Sequence, residues 1–260
     1  MNNNLILMTK DARGVYTLTL NNPVNFNALS GEMLSALQAA LDTVKQDDQS
    51  RAVVLAANGK AFCPGHNLKE MAAHPTMAFY QALFAKCSKM MLSLAMLPVP
   101  VVARVQGLAT AAGCQLVAQC DLAVASAGAR FATSGINYGL FCATPSVPLL
   151  RNLQAKHAMH MLVTGEFIDA ATALRYGLIN TVAADDTPAA LDAEIEKIVS
   201  QILSKPRLAL KMGKALFYQQ QGMGLEAAYQ LAGQTMAVNM LHACAQEGVQ
   251  AFIEKRAPRC

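Results

Sequence analysis

Apolar and polar positions alternate over Val15–Leu20, Val-Tyr-Thr-Leu-Thr-Leu, the period-two pattern of a half-buried strand. Asn21-Asn22-Pro23 supplies the turn chemistry that ends it. After Ser30 the spacing becomes helical. Met33, Leu34, Leu37, Leu41 and Val44 share one face, and Ser30 is placed to cap a helix running to about Val44. Ala52–Ala57 is a continuous apolar run, as expected of a strand covered on both faces, and Asn58-Gly59 turns the chain. Ala61–Asn67 reads as a loop around Pro64-Gly65. A long helix rich in Met and Leu is expected from about Pro75 to Leu97. A buried strand at Val99–Val105, a short helix at Thr110–Gln119 and a strand at Leu122–Ala125 follow. Repeated strand and helix pieces with short links imply a right-handed α/β arrangement.

From about Gln154 the spacing is helical throughout: Ala155–Val163, Ala170–Tyr176, Ala189–Leu203, Leu208–Tyr218, Leu225–Leu241 and Ala243–Lys255. Gly165, Gly177, Pro188, Pro206, Gly222 and Gly224 punctuate these helices. The expected organisation is an N-terminal α/β core with a helical C-terminal part that packs on a neighbouring subunit.

Composition sharpens this picture. With 53% hydrophobic and 15% charged residues in 260, the chain can bury a large core and still share apolar surface between subunits. The net charge of +4 is mild, and without a basic run or aromatic-interleaved basic stripe no nucleic-acid partner is expected. The scattered cations suit a polyanionic small molecule, or are simply solvated lysines. Seven cysteines, an odd number without C-x-x-C or metal-ligand spacing, predict reduced thiols, no metal and a cytoplasmic location. The apolar piece Leu5–Met8 is too short for a signal segment or membrane span, so no membrane partner is expected.

The candidate chemistry lies in two segments. Val99–Asp121 runs a buried strand into a glycine turn at Gly107 and then a small-residue helix, a geometry that aims backbone N–H groups at a developing oxyanion. The small residues also serve packing. Lys60–Met71 carries a glycine before a helix entry, with Asn67 as a cap; its free amides can bind an acyl carbonyl, or the segment is a simple loop-to-helix entry. No G-x-S-x-G elbow, P-loop or G-x-G-x-x-G after a strand is present, which removes support for serine hydrolase, NTPase and dinucleotide readings.

Ala61-Phe62 through Gly65-His66-Asn67-Leu68-Lys69-Glu70-Met71, together with Gly107-x-Ala109…Gly113-Cys114-Gln115-Leu116…Cys120-Asp121, resembles the enoyl-CoA hydratase/isomerase (crotonase) superfamily. Leu162–Glu166 and Ala170…Val182 extend the resemblance, which covers the chain from about Val15 to its end. It implies an α/β fold of the ClpP/crotonase type, a spiral of ββα units with a helical C-terminal region. Residues 1–200 would form the core and 201–260 a region for trimerisation and for covering coenzyme A. It also implies that the backbone amides of His66 and Ala112 hold a thioester oxygen as an enolate forms. Ala61, Asn67, Leu68 and Lys69 would then contact coenzyme A. Lys205, Arg207, Lys211, Lys214, Phe217 and Tyr218 mark a helix that approaches the CoA phosphate in such proteins, or a solvated face; Lys214 and Phe217 are the CoA candidates.

This sequence departs from the pattern at two places. Hydratases of the family place water with two glutamates; Gln115 stands at the first position and Gly135 at the second. Glutamine orients water but takes no proton at neutral pH. The His66 imidazole is a candidate substitute, and Thr133, Ser134, Tyr138 and Cys142 fall near the vacant second position. Asp121, Glu166 and Asp169 read as structural charges. The expected protein acts on an acyl-CoA thioester in fatty acid metabolism, as a lyase or isomerase with doubtful hydratase activity. The alternatives are a catalytically degenerate acyl-CoA binder, or different thioester chemistry such as isomerisation or hydrolysis. Coenzyme A would enter as part of the substrate, with no covalently bound cofactor, and the assembly would be a homotrimer or hexamer.

Overall fold

In the computed structural model, which describes residues 4–259, the chain opens with strand β1 (Ile6–Lys10) paired antiparallel to β2 (Val15–Leu20), followed by helix α1 (Gly31–Gln46). A strand–strand–helix unit then repeats. The first is β3 (Ala52–Ala57), β4 (Ala61–Cys63), α2 (Leu68–Ala73) and α3 (Met77–Met96). The second is β5 (Val101–Val105), β6 (Leu108–Thr110) and α4 (Ala112–Gln119). The third is β7 (Leu122–Ala125), β8 (Arg130–Ala132), a 3-10 turn over Ser134–Tyr138 and α5 (Ala143–Asn152). Helix α6 (Ala155–Thr164), β9 (Ile168–Asp169), α7 (Ala170–Tyr176), β10 (Thr181–Val182) and α8 (Pro188–Leu203) complete the core. Helices α9 (Arg207–Gln220), α10 (Leu225–Met240) and α11 (Ala243–Ile253) end the chain.

The first strand of each unit joins a six-stranded sheet of order β1-β2-β3-β5-β7-β10, and the second a four-stranded sheet of order β4-β6-β8-β9. Both sheets are parallel through the repeated units. Parallel pairing places the C-terminal ends of β4, β6 and β8 side by side, and the site is built from the loops that leave them.

The apolar patterns have direct causes. All positions of β3 are buried because its faces enter different cores: Val53 and Leu55 pack with α1 and α3, Val54 with Leu191, Ile195 and Val199 of α8. On α1, Met33, Leu34, Leu37, Leu41 and Val44 are buried, each worth on the order of 2 kcal/mol. Ser30 Oγ accepts the Met33 N–H at 3.1 Å, a cap worth about 1 kcal/mol. Helix α4 is buried on all sides from Ala112 to Ala118, and this needs its small residues: a Cβ on Gly113 would meet the Cys63 carbonyl oxygen.

Several expectations are corrected. Ala61–Cys63 is a strand rather than loop, because it pairs with β6. The long helix begins at Met77, with Thr76 as its cap, and a separate short helix, α2, precedes it. Leu108–Thr110 is a strand and α4 starts only at Ala112. Helix α5, which the apolar spacing does not announce, contains Pro145 and Pro148; it stands because it packs on α4, with Pro145, Pro148 and Leu149 buried. Among the described residues no helix is long and apolar enough to cross a membrane.

One polar cluster ties α9 to the core. Asp121, between α4 and β7, accepts the Val101 N–H at 2.7 Å and Lys214 Nζ at 2.6 Å on Oδ2, and the Tyr218 hydroxyl at 2.8 Å on Oδ1. Lys214 also donates to the carbonyls of Leu94 at 2.8 Å and Val99 at 2.9 Å. Burial pulls the Lys214 pKa down against the opposing pull of Asp121, and burial followed by Asp121 pushes that of Tyr218 up. Replacing Lys214 by Met leaves the Asp121 carboxylate without its cation and two carbonyls without a donor. The expected cost is about 3 kcal/mol, read as a lower urea midpoint at unchanged slope; a shift under about 1 kcal/mol would mean the cluster contributes no more than a surface pair.

Candidate active site

The cavity at the strand ends has a volume of about 670 Å³, and its walls come from all three units. Gly65 and His66 follow β4, Ala111 and Ala112 follow β6, and Ser134 and Gly135 follow β8. Gly65 adopts φ +102°, and a Cβ there would stand 2.9 Å from the Ala111 Cβ and 3.1 Å from the Ala112 nitrogen. Glycine therefore lets the first loop lie directly against the second, and keeps a side chain out of the space beside the Ala112 amide.

His66 and Ala112, the residues expected to supply the backbone donors, both line this cavity. Ala112 is the first residue of α4, so its N–H has no partner within the helix. The turn before it is strained: Ala111 holds φ +50° and ψ −121°, at a cost of about 1–3 kcal/mol. Its own N–H, bonded to the Ala132 carbonyl at 3.0 Å, fixes the turn to β8. On the other side, Leu29 donates its N–H to the Gly65 carbonyl at 2.8 Å in a short parallel pairing with His66. Such pairing runs through the neighbours of His66 and leaves its own N–H free of it.

The His66 ring is anchored rather than mobile. Nδ1 lies 3.2 Å from the Leu29 carbonyl, which only accepts, so Nδ1 carries the proton of the neutral ring. The ring meets Phe84 edge to face at 5.4 Å, and Nε2 is buried without a partner. Burial lowers the pKa from the ordinary 6.5, with the Leu29 carbonyl and Glu70 opposing.

The two positions where the resemblance implies carboxylates fare differently. Gln115 is 3% exposed within α4, with Oε1 unpartnered, and is not part of the cavity wall. Gly135 is on the wall, but the space a side chain needs is filled: its Cβ would stand 2.6 Å from the Leu140 carbonyl oxygen and 2.9 Å from Cys142 Sγ. Burial raises the Cys142 pKa, so that thiol is not activated. No Asp or Glu lines the cavity among the described residues.

Of the expected coenzyme contacts, Asn67, Leu68 and Lys69 lie on the wall. Asn67 also caps α2, accepting the N–H groups of Lys69 at 3.1 Å and Glu70 at 3.3 Å. Ala61 is buried in β4, its carbonyl accepting from Asn27 Nδ2 at 3.0 Å, and does not reach the cavity. Lys214 is corrected outright: its donors serve Asp121, Leu94 and Val99. Phe217 is exposed against Tyr218, away from the cavity wall. Thr133 bonds the Met161 carbonyl at 2.6 Å, while Ser134 and Tyr138 line the cavity. Asp169 caps α7 through the Thr172 N–H at 2.8 Å, and Glu166 lies 3.6 Å from His160.

Sequence reasoning missed Thr110 and the apolar wall of Phe26, Phe84, Phe141 and Phe167. It also missed Asn27, buried at φ +63°, which holds the Val24–Phe26 wall through the Asn22 N–H at 2.8 Å and the Asn58 carbonyl at 2.9 Å. An asparagine after the Asn-Asn-Pro turn was the available signal, since it tolerates positive φ.

The enoyl-CoA hydratase/isomerase family model matches residues 10–260. The chain is 43% identical to the rat mitochondrial enoyl-CoA hydratase domain-containing protein 3, over 96% of this chain and 82% of the relative. A solved enoyl-CoA hydratase from Mycobacterium smegmatis is 59% identical with a TM-score of 0.95, covering 98% of each chain. The solved human enoyl Coenzyme A hydratase domain-containing protein 3 is 41% identical with a TM-score of 0.92, covering 98% of this chain and 100% of that one.

The buried ring yields a pH prediction. A depressed folded pKa means the unfolded chain binds the proton more readily, so this stability is present above pH 6.5 and is lost as pH falls below it. Urea midpoints at pH 7.5 and about 5.5 should differ more for the wild type than for His66→Asn; equal differences would remove the ring from the acid response.

Proposed function

The chain belongs to the enoyl-CoA hydratase/isomerase family, and from that premise we propose that its cavity binds an acyl-CoA thioester and stabilises an enolate, without the proton machinery of a hydratase. The N–H groups of His66 and Ala112 take the thioester oxygen as it gains charge. Leu68 and Lys69 flank the coenzyme, and Phe84, Leu140, Phe141 and Phe167 receive the acyl chain. The observation that carries the reading is the contact of the two loops, with Ala112 N 3.1 Å from the vacant Cβ position of Gly65. Oxyanion donors contribute about 10²–10³-fold, and a positioned acid or base about 10²–10⁴-fold. With no carboxylate on the wall among the described residues, the second contribution would fall to the His66 imidazole or be missing. The site therefore favours reactions that need thioester polarisation over addition of water. That same absence favours, as a second reading, a pure acyl-CoA binder.

Calorimetric titration with butyryl-CoA should give saturable binding that Gly65→Ala weakens by about tenfold, and crotonyl-CoA should show no hydration above background. Absence of thioester binding would overturn the site; rapid hydration would show that groups outside the two family positions move the proton.

We also propose a homotrimer or hexamer. Helix α10 has no buried residue, and Leu225, Tyr229, Met236, Phe252 and Ile253 are exposed on α10 and α11. Sedimentation should give three or six times the 27.7 kDa chain mass; a single-chain mass would refute the assembly.

A further inference from the structure

Thr110 ends β6 and Ser134 follows β8, strands that pair in parallel, and their Oγ1 and Oγ atoms lie 2.8 Å apart. Both residues line the cavity. Thr110 is 6% exposed and directly precedes the strained Ala111–Ala112 turn, while Ser134 directly precedes Gly135, the vacant second carboxylate position. Along the chain, one member of the pair thus adjoins the Ala111–Ala112 turn and the other adjoins Gly135.

Two hydroxyls carry two protons and four lone pairs. One proton closes the bond within the pair, which leaves one donor and several lone pairs for something else. Neither hydroxyl takes or releases a proton at neutral pH, so the pair binds and does not act as an acid or base. Much of the surrounding wall is apolar, including Leu108, Leu140, Phe141 and Phe167. In such a setting a polar pair discriminates by what it leaves unbonded: a hydrocarbon opposite it gives the outward donor no partner, whereas an oxygen extends the chain of hydrogen bonds.

Resting on the acyl-CoA reading above, we propose that Thr110 and Ser134 form a specificity device that reads an oxygen on the acyl group close to the thioester. A hydroxyacyl thioester is then held in preference to the saturated thioester of equal length. A hydroxyl both accepts from the pair and donates to it, which completes a chain of three hydroxyls. The expected preference is about 3- to 10-fold, the size of one neutral hydrogen bond.

The test is calorimetric titration of the full chain with 3-hydroxybutyryl-CoA and with butyryl-CoA, each run on wild type, Thr110→Val and Ser134→Ala. The wild type should favour the hydroxy ester by that factor, and each variant should bring the ratio to about one while still binding butyryl-CoA. Because both esters are measured on one preparation, a variant that folds less completely still reports its ratio. Equal affinities in the wild type, or an unchanged ratio in both variants, would overturn the device and leave the acyl-CoA reading standing. No binding of either ester to the wild type would overturn that reading and the device with it.

Discussion

The close approach of two backbones, at the ends of β4 and β6, is the constraint on which the rest of this structure depends. Gly113 lies against the Cys63 carbonyl, and Gly65 lies against Ala111 and Ala112. A single Cβ at either glycine would force the loops apart. With both absent, the loop after β4 lies directly against the start of α4. The cost appears as a strained alanine at φ +50°, and the bond from its N–H to β8 offsets part of it. The strain is stored in the turn that opens α4.

Around that contact the protein is electrically quiet. The cavity wall holds no carboxylate among the described residues, and its histidine is kept neutral by burial. Amides, hydroxyls, the His66 imidazole and the Lys69 side chain remain. Amides and hydroxyls stabilise charge that develops on a ligand but do not exchange protons with it at neutral pH.

The most buried charge pair among the described residues stands away from the cavity. Lys214 and Asp121 are held with Tyr218 at the junction of α3, β5 and α9. A lysine four residues before a tyrosine on an amphipathic helix looks the same in sequence whether it faces a phosphate or a buried aspartate. Here desolvation is offset by three hydrogen bonds, so the lysine fastens α9 to the core.

The sequence by itself determined the elements whose apolar spacing repeats along the chain: β2, α1, β3 and the C-terminal helices from Ala155 onward. For β2, α1 and α8 periodicity also reports the face that meets a core, whereas α10 has the spacing but no buried residue. It also placed the two glycine-bearing segments, and put Gln115 and Gly135 where the resemblance implies carboxylates, because these are statements about residue identity. Tertiary structure alone decided which side chains meet. Asp121 and Lys214 are 93 positions apart, and Thr110 and Ser134 are 24 apart, so no local pattern links them. The strand Ala61–Cys63 exists because β6 pairs with it, and α5 keeps its internal proline because packing on α4 outweighs local propensity. Gln115 sits at the expected number, yet lies behind the cavity wall rather than on it, since the orientation of a side chain on a fully buried helix is set by the neighbours that surround it.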